Sequence, residues 1–340
     1  MKKIVISLIL LAVVIGTYFV FGKNKENKEI EGVVDNISPK ITLKGQENET
    51  VYIGDKYTEL GYVAEDNTDG DISDKVQIDG EIDITTEGDY ILTYKVQDSF
   101  GNIGEAKRNI TVKQKVTSVD KTVRGLPILM YHFFYDTNSG ETGPDSNWME
   151  ISAFDEQMKY LSENEYYYPS WNEVYEFVVG GKELPEKSVV ISIDDGDPSF
   201  FSLAVPVLKK YNVTATSFIV TSWYGPQVAA YKSSILNFES HTHDMHKPGS
   251  DGKGAFLTKT YEEGLLDINT SKDICGSGIA FCYPFGHYND NAIKVLKDAE
   301  YKVAVTTVGG RAYPGMDQYL LPRVRMSKGD SLSAFISKVK

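Results

Sequence analysis

The chain has 340 residues, of which 41% are hydrophobic and 24% are charged, and its formal net charge is -13. This length is sufficient for two folded domains, and the composition is that of an ordinary globular protein. The negative charge argues against a nucleic-acid partner, because a protein that binds phosphates presents a basic surface to them.

The N-terminus has the composition of a membrane anchor. An apolar run over residues 4–21 follows Lys2 and Lys3. The run is about long enough to cross the hydrocarbon core of a bilayer, and the small-residue cleavage site of a secretory signal peptide is missing after it. We predict a transmembrane signal anchor over residues 1–22, with a cleaved signal peptide as the alternative. The chain would then be a single-pass protein of the cell membrane with its globular part outside the cell, after a polar tether over residues 23–36.

Residues 37–113 show the pattern of short β-strands. Tyr90, Leu92, Tyr94 and Val96 recur at every second position, which is the period of a strand. Asp, Asn and Gly separate the apolar runs, and this combination favours a small β-sandwich.

Three strings in this segment resemble the bacterial immunoglobulin-like surface domains. They are Gly61–Ile72, Gly88–Tyr90 and Val96–Asn102. The resemblance implies a spacer or adhesive module without catalysis. Asp66, Asp69 and Asp71 have the ligand type that calcium takes, but we favour a solvated acidic turn for this cluster.

After a polar linker over residues 114–125, the pattern changes to alternating strands and helices. Strands are predicted at residues 128–131, 189–193, 215–220, 236–239, 279–283 and 303–306. Helices are predicted around residues 154–161, 203–208, 259–274, 289–299 and 331–339. Repeated β-α units favour an α/β barrel or a doubly wound sheet, and in either case the chemistry lies at the carboxyl ends of the strands.

The two cysteines, Cys275 and Cys282, are close in sequence. Outside the cell such a pair can form a disulfide. We favour two small buried side chains instead.

The residues suited to catalysis concentrate in the predicted second domain, where all five histidines lie. Asp194 and Asp195 follow an apolar strand directly, and Gly196 permits a sharp turn after them. Two adjacent carboxylates are unfavourable when buried, because each raises the pKa of the other. A metal ion removes this objection, since one carboxylate can bind it while the other accepts a proton. An ordinary acidic turn is the alternative for this motif alone.

Two further motifs follow predicted strands. Three histidines lie in the segment Ser240–His246, a density typical of metal ligands. The spacing of His241 and His246 suits a loop around an ion, the spacing of His243 and His246 would suit a helix, and a surface histidine cluster is the alternative to both. The segment Tyr283-Pro284-Phe285-Gly286 is a turn of the kind that exposes a backbone N–H to a ligand oxygen.

Together the three motifs resemble the polysaccharide deacetylases (NodB-homology, carbohydrate esterase family 4) over residues 126–340. The resemblance implies a deformed (β/α)7 barrel and metal-dependent hydrolysis of N-acetyl groups from an N-acetylglucosamine polysaccharide. It also implies a divalent metal, usually zinc, bound by Asp195, His241 and His246, with Asp194 as the general base.

A second set of residues is predicted to contact the oxyanion and the substrate. The set comprises Tyr283, Pro284 and Phe285 of the turn, with the Phe285 N–H as oxyanion donor, together with Trp223 and Arg323. Trp223 follows a predicted strand and is the aromatic residue best placed to stack on a sugar face.

Among the departures from the family pattern, two concern groups with a catalytic role, and Asp197 and Ser192-Ile193 are the others. Cys282 stands where many family members carry an arginine that orients the catalytic aspartate, and the segment Leu320–Arg325 lacks the histidine that usually acts as general acid. We expect His132 or His243 to take part as the acid, because both belong to the same predicted barrel mouth. Deacetylases of poly-β-1,6-N-acetylglucosamine share these departures, so this exopolysaccharide is the favoured substrate and peptidoglycan is the alternative.

Two other classes of function stay open at this point. The departures allow a catalytically inactive glycan-binding protein of the cell surface, and the immunoglobulin-like segment allows an adhesin. The complete set of Asp194, Asp195, His241 and His246 favours the enzyme, because a pure binder needs no base beside its metal.

Overall fold

The computed structural model describes residues 34–340. The predicted anchor over residues 1–22 and most of the predicted tether lie outside this range. Within residues 34–340, no helix has both the length and the apolar character needed to cross a membrane. The chain divides into two compact units between Gln114 and Lys115.

The N-terminal unit contains two small sheets. Its strands are β1 (Lys40–Leu43), β2 (Asn48–Tyr52), β3 (Tyr62–Asp66), β4 (Gly70–Asp71), β5 (Gln77–Asp79), β6 (Gly88–Gln97) and β7 (Ile103–Lys113). One sheet has the antiparallel order β1-β3-β4, and the other has the order β2-β7-β6-β5, in which only β2 and β7 pair in parallel.

The two sheets bury a shared apolar core. Ile41 and Tyr62 of the first sheet pack against a cluster that includes Tyr94 and Ile110 of the second. Strand β6 shows the predicted alternation, because Tyr94 is fully buried while Ile91 on the opposite face is 51% exposed. The predicted small β-sandwich is confirmed.

Residues assigned to the tether and the linker make specific contacts. The Asp35 carboxylate, which the sequence places in the tether, accepts a hydrogen bond from Asn67 Nδ2 at 2.9 Å. In the linker, the Val116 N–H donates to the Val179 carbonyl at 2.7 Å. Both segments therefore join the folded units near their ends.

The C-terminal unit is built around a closed barrel of seven parallel strands. In order around the barrel, the strands are β11 (Val190–Asp195), β12 (Ala215–Ile219), β13 (Leu236–Ser240), β14 (Ala280–Cys282), β15 (Val303–Gly309), β16 (Leu321–Arg325) and β8 (Ile128–Tyr131). A short parallel pair, β9 (Phe133–Tyr135) and β10 (Trp148–Glu150), follows β8. The barrel implied by the family resemblance is confirmed.

Seven helices accompany these strands within the described residues. They are α1 (Ile151–Glu163), α2 (Trp171–Gly180), α3 (Val205–Tyr211), α4 (Thr221–Tyr231), α5 (Tyr261–Cys275), α6 (Asp290–Asp298) and α7 (Leu332–Val339). Apolar side chains such as Phe154 of α1 and Phe335 of α7 are fully buried in one cluster with Leu129 and Ile191 of the barrel. This packing fixes the strands whose ends carry the site.

All six predicted barrel strands are present, but β16, α2 and α4 are not predicted from the sequence. In α4, Gly225 and Pro226 interrupt the apolar period, and Pro322 does the same in β16. Cys275 and Cys282 are both free and buried, as predicted.

The parallel barrel brings the predicted site residues to one edge. His132 follows β8, Asp194 and Asp195 end β11, His241 follows β13 and Tyr283 follows β14. Because the carboxyl ends of parallel barrel strands meet at the same edge, residues distant in sequence become neighbours there.

Candidate active site

Asp194 and Asp195 lie at the end of β11, where the backbone turns sharply. Asp195 has a φ of 74° and Gly196 a φ of 76°. A Cβ on Gly196 would lie 2.7 Å from Ile219 Cγ1, so the turn requires glycine. A left-handed aspartate is strained, and such strain concentrates at functional sites. Both carboxylates end up buried, with exposures of 2% and 8%.

Asp195, His241 and His246 converge on one point. The Nε2 atoms of His241 and His246 lie 3.4 Å and 3.2 Å from Asp195 Oδ1. Oδ1 is buried and accepts no hydrogen bond. Potential ligand atoms of the three residues lie within 4.8 Å of one another. Two imidazoles and one carboxylate are a set typical of catalytic zinc, which keeps positions open for water and substrate.

The two imidazoles differ in protonation. His241 Nδ1 lies 2.7 Å from the Cys282 carbonyl, which can only accept a hydrogen bond, so Nδ1 carries a proton. Burial alone would lower the pKa of His241, but Cys282 and Asp195 outweigh burial and raise it well above its usual range, so a metal ion would displace a proton from Nε2. Burial, with the nearby His241, lowers the pKa of His246 to about 4. This second ring is neutral at pH 7, as a metal ligand must be.

Asp194, His241 and Cys282 form an overlapping set of potential ligands. Arg323 binds both oxygens of Asp194 in this set. Burial raises the pKa of the Cys282 thiol, which disfavours the thiolate that a metal binds. The set with Asp195 and His246 is therefore the better metal site.

The loop that carries the two histidines is tied to α5. The Asp267 carboxylate accepts hydrogen bonds from the N–H groups of His243 at 2.7 Å and of Asp244 at 2.8 Å. Thr242 in the same loop has a φ of 76°, which is strained for a β-branched residue. Asp267 thus restrains a loop that would otherwise relax.

Arg323 holds Asp194 from behind. Its Nη1 and Nη2 donate to Oδ1 and Oδ2 of Asp194, each at 2.7 Å. The remaining donors reach Ser192 Oγ, the Cys282 sulfur and the Thr306 carbonyl. All five N–H donors of a guanidinium thus have acceptors, and the orientation of the Asp194 carboxylate is fixed.

These contacts set the charge of Asp194. Burial alone would raise the pKa of this carboxyl, but the Arg323 guanidinium outweighs burial and holds the pKa well below its usual range. His132 Nε2 lies 3.7 Å from Asp194 Oδ2. Burial lowers the pKa of His132, against the opposing effect of Asp194 and Asp195.

The turn after β14 presents a backbone donor. Phe285 has a φ of 58° and Gly286 a φ of 72°. A Cβ on Gly286 would lie 2.1 Å from Thr307 Oγ1, so only glycine fits there. The Phe285 N–H belongs to the first turn of a short 3₁₀ helix, Pro284–Gly286, where N–H groups lack an acceptor within the helix.

Two exposed aromatic side chains lie beside His246, one of the candidate metal ligands. The Phe285 ring lies 4.5 Å and the Trp223 ring 5.5 Å from the His246 ring, measured between centroids. Phe285 is 44% and Trp223 is 50% exposed. Large exposed rings next to the site provide faces on which a sugar can stack.

Three residues predicted to contact the substrate have buried side chains. The Tyr283 side chain is fully buried in an apolar cluster, Pro284 is buried, and Arg323 is fully buried behind Asp194. Direct contact of these side chains with a substrate conflicts with their burial. Phe285 and Trp223 keep the predicted position at the site.

The two histidines left open as general acid differ in position. His132 contacts Asp194, whereas His243 Nδ1 lies 3.0 Å from Thr221 Oγ1. The segment from His241 to His246 is not helical, so the loop interpretation of its spacing is confirmed.

Family models match two parts of the chain. One, described as bacterial surface protein, Ig-like domain, matches residues 41–112, and the other, described as polysaccharide deacetylase, matches residues 181–304. The chain carries a polysaccharide deacetylase domain. The second match contains Asp194, Asp195, His241 and His246, and the predicted resemblance to both families is confirmed.

Curated relatives and solved structures agree with this assignment. The chain is 29% identical over 194 residues to the poly-β-1,6-N-acetyl-D-glucosamine N-deacetylase of Staphylococcus aureus, a match that covers 52% of this chain and 67% of the relative. The deacetylase PplD of Streptococcus pyogenes, solved with acetate, is similar with a TM-score of 0.56 and 24% identity over 64% of this chain and 99% of that one. IcaB from Ammonifex degensii is similar with a TM-score of 0.53 and 22% identity over 64% and 97%. The two structural likenesses support the fold of the deacetylase domain.

We expect His246→Ala to lose bound metal, because it removes one of three ligands. Loss of a residue that only hydrogen-bonds to a metal ligand lowers metal affinity up to about 100-fold. Loss of a ligand itself should therefore lower the zinc affinity by more than that. Zinc content after dialysis, measured by mass spectrometry, checks this. His243→Ala is the matched control, since its side chain contacts Thr221 instead. Equal zinc contents in the two variants would contradict the assignment.

Proposed function

We propose that this protein is a zinc-dependent N-deacetylase that removes acetyl groups from a poly-β-1,6-N-acetylglucosamine-type polysaccharide. The observation that carries the proposal is a fixed, ionised Asp194 beside the Asp195, His241 and His246 set. A binding protein has no need of a carboxylate held in this way. The inactive-binder alternative depended on a missing arginine and a missing late histidine. Arg323 supplies the guanidinium that Cys282 lacks, and His132 is the histidine proposed below as the acid.

A divalent cation held by Asp195, His241 and His246 would polarise the acetamide carbonyl and make water more acidic. Asp194 is the general base. It takes a proton from the attacking water, and Arg323 keeps the carboxylate directed into the site while this happens. Because the Asp194 side chain already has the right orientation, the activation free energy includes no cost for ordering it.

Two donors complete the reaction. The Phe285 N–H, which is free within its own turn, donates to the developing oxyanion. His132 Nε2, 3.7 Å from Asp194 Oδ2, receives the proton from that carboxylate and passes it to the leaving amine. Water thus provides its hydroxyl to acetate and its proton to the sugar amine, and the C–N bond breaks.

The surroundings of the site suit a glycan. Trp223 and Phe285 expose rings next to His246, and aromatic faces with nearby polar groups bind sugars well. The similarity to the staphylococcal poly-β-1,6-N-acetyl-D-glucosamine N-deacetylase favours that linkage over peptidoglycan.

The function is tested by acetate release from the purified chain loaded with zinc. We expect release from β-1,6-linked N-acetylglucosamine oligomers to exceed release from peptidoglycan. Asp194→Asn, which keeps the shape of the side chain, should lower the rate about 10²–10⁴-fold, the usual contribution of a general base. If acetate were released from peptidoglycan alone, peptidoglycan would replace the β-1,6-linked polymer as the proposed substrate. If metal-loaded protein released acetate from neither polymer, the proposal would be contradicted.

The role of His132 is tested by substitution. We expect His132→Ala to lower kcat about 10²–10⁴-fold with unchanged zinc content, because the amine leaves without a proton donor. His243→Ala, the control, should keep most of its activity. If only His243→Ala lost activity while it retained zinc, His243 and not His132 would be the general acid.

We also propose that residues 1–22 anchor the chain in the cell membrane, with the deacetylase domain outside the cell and the Ig-like domain as a spacer. The apolar run over residues 4–21, between lysines, supports the anchor. Protease added to intact cells should digest the deacetylase domain. Protection of that domain until the cells are opened would contradict the orientation.

A further inference from the structure

Three buried carboxylates converge in the Ig-like domain. Asp35 precedes β1, Asp66 ends β3 and Asp98 follows β6. They are 7%, 8% and 6% exposed. One carboxylate oxygen from each lies within 4.8 Å of the others. Three like charges so close raise the free energy of the folded state unless an opposite charge joins them.

The turns around the cluster hold the carboxylates in place. Asp66 Oδ1 accepts hydrogen bonds from the N–H groups of Thr68 and Asp69, each at 2.9 Å. Asp98 Oδ1 accepts from the N–H groups of Phe100 at 2.9 Å and Asn102 at 2.8 Å. The turn after β3 thus holds one oxygen of Asp66 and leaves the other for a ligand. Asp98 Oδ2 also accepts a hydrogen bond, from Asn102 Nδ2 at 2.7 Å, and a carboxylate oxygen with one such bond keeps a lone pair for a cation.

Asp66 Oδ2 has no partner. This atom is fully buried and accepts no hydrogen bond, on a side chain that is itself more than nine-tenths buried. An unpaired buried carboxylate oxygen is costly. Within residues 34–340, no lysine or arginine forms an ion pair with any of the three aspartates, and the nearby Lys75 pairs with Asp69 instead, at 3.8 Å. No residue from 34 to 340 therefore neutralises this charge.

We propose that Asp35, Asp66 and Asp98 bind a calcium ion. The ligand atoms are all oxygen, as a hard cation requires, and opposed ligands of calcium lie roughly 4.6–5.2 Å apart, which accommodates the observed spacing. Magnesium would need a tighter set, and zinc prefers nitrogen or sulfur. The Thr68 hydroxyl, which donates to Asp35 Oδ2, is a further oxygen source beside water.

These residues differ from the acidic cluster noted in the sequence. Asp69 accepts hydrogen bonds from Ser99, and Asp71 accepts them from Ser73. Of the three aspartates in the sequence cluster, only Asp66 belongs to the site. An ion bound here would link the segment that contains Asp35, before β1, to the turns after β3 and β6. It would therefore restrict the motion of the chain where it enters the Ig-like domain.

The test is calcium titration of the purified, zinc-saturated full chain by calorimetry. We expect one site with a Kd of about 10⁻⁴–10⁻³ M, the range of extracellular calcium modules. Asp66→Asn should weaken binding at least tenfold, because it replaces a charged ligand. The asparagine oxygen can still accept the two turn N–H groups, so the fold is kept, and circular dichroism checks this.

Two matched controls locate the ion. Asp71→Asn changes an exposed aspartate in the same turn region, and Asp195→Asn changes the catalytic metal set. Both should bind calcium like the original chain. The proposal is overturned by any of three results: no heat from the original chain up to about 10 mM calcium, ten times the upper limit of that range, unchanged binding in Asp66→Asn, or loss of binding in Asp195→Asn.

Discussion

The ion pair between Asp194 and Arg323 is the contact on which the rest of the site depends. A carboxylate this deeply buried stays ionised only beside a compensating charge. The guanidinium provides that charge and collects its five acceptors from three other strands: β11, β14 and β15. The pair therefore links the shape of the barrel to the direction of the catalytic base.

The same ion pair explains why the motif around β14 has Cys282 where many family members carry an arginine. An arginine at position 282 would reach Asp194 from β14, whereas here the small Cys282 leaves room for Arg323 to arrive from β16. The Cys282 thiol also lies 3.4 Å from Asp194 Oδ2 and accepts from Arg323 at 3.2 Å. The positive charge beside Asp194 is thus retained, although the arginine that provides it lies in a different part of the sequence. A comparison of motifs alone would report this charge as lost.

Much of this architecture follows from local sequence patterns. The barrel strands are short apolar runs, and Asp195 and His241 lie where such runs end, so local patterns suffice to place them at the barrel edge. The roles of Asp195, His241 and His246 as metal ligands were predicted from the family resemblance. Strand β16 was not predicted because Pro322 disfavours a strand. The segment from Pro322 to Arg325 does alternate between apolar and charged residues, which is the period of a strand.

Other parts depend on contacts that no local pattern contains. The burial of Tyr283 follows from packing against α5 and α6 residues in one cluster, and the role of Asp267 follows from the approach of α5 to the histidine loop. Helix α2 did carry a local signal, the capping box of Ser170 and Glu173. The convergence of Asp35 with Asp98 needs the sandwich itself, because only tertiary structure brings these turns together.

The closure of the barrel has a consequence for biosynthesis. Asp194 and Arg323 are 129 residues apart, and the strand that carries Arg323 is the last to be made and pairs with the first, β8. Contacts of such long range form late in folding. A nascent or truncated chain that ends before β16 holds the histidines and both aspartates but has no oriented base. The protein therefore acquires its oriented carboxylate only after β16 has been made and has closed the barrel.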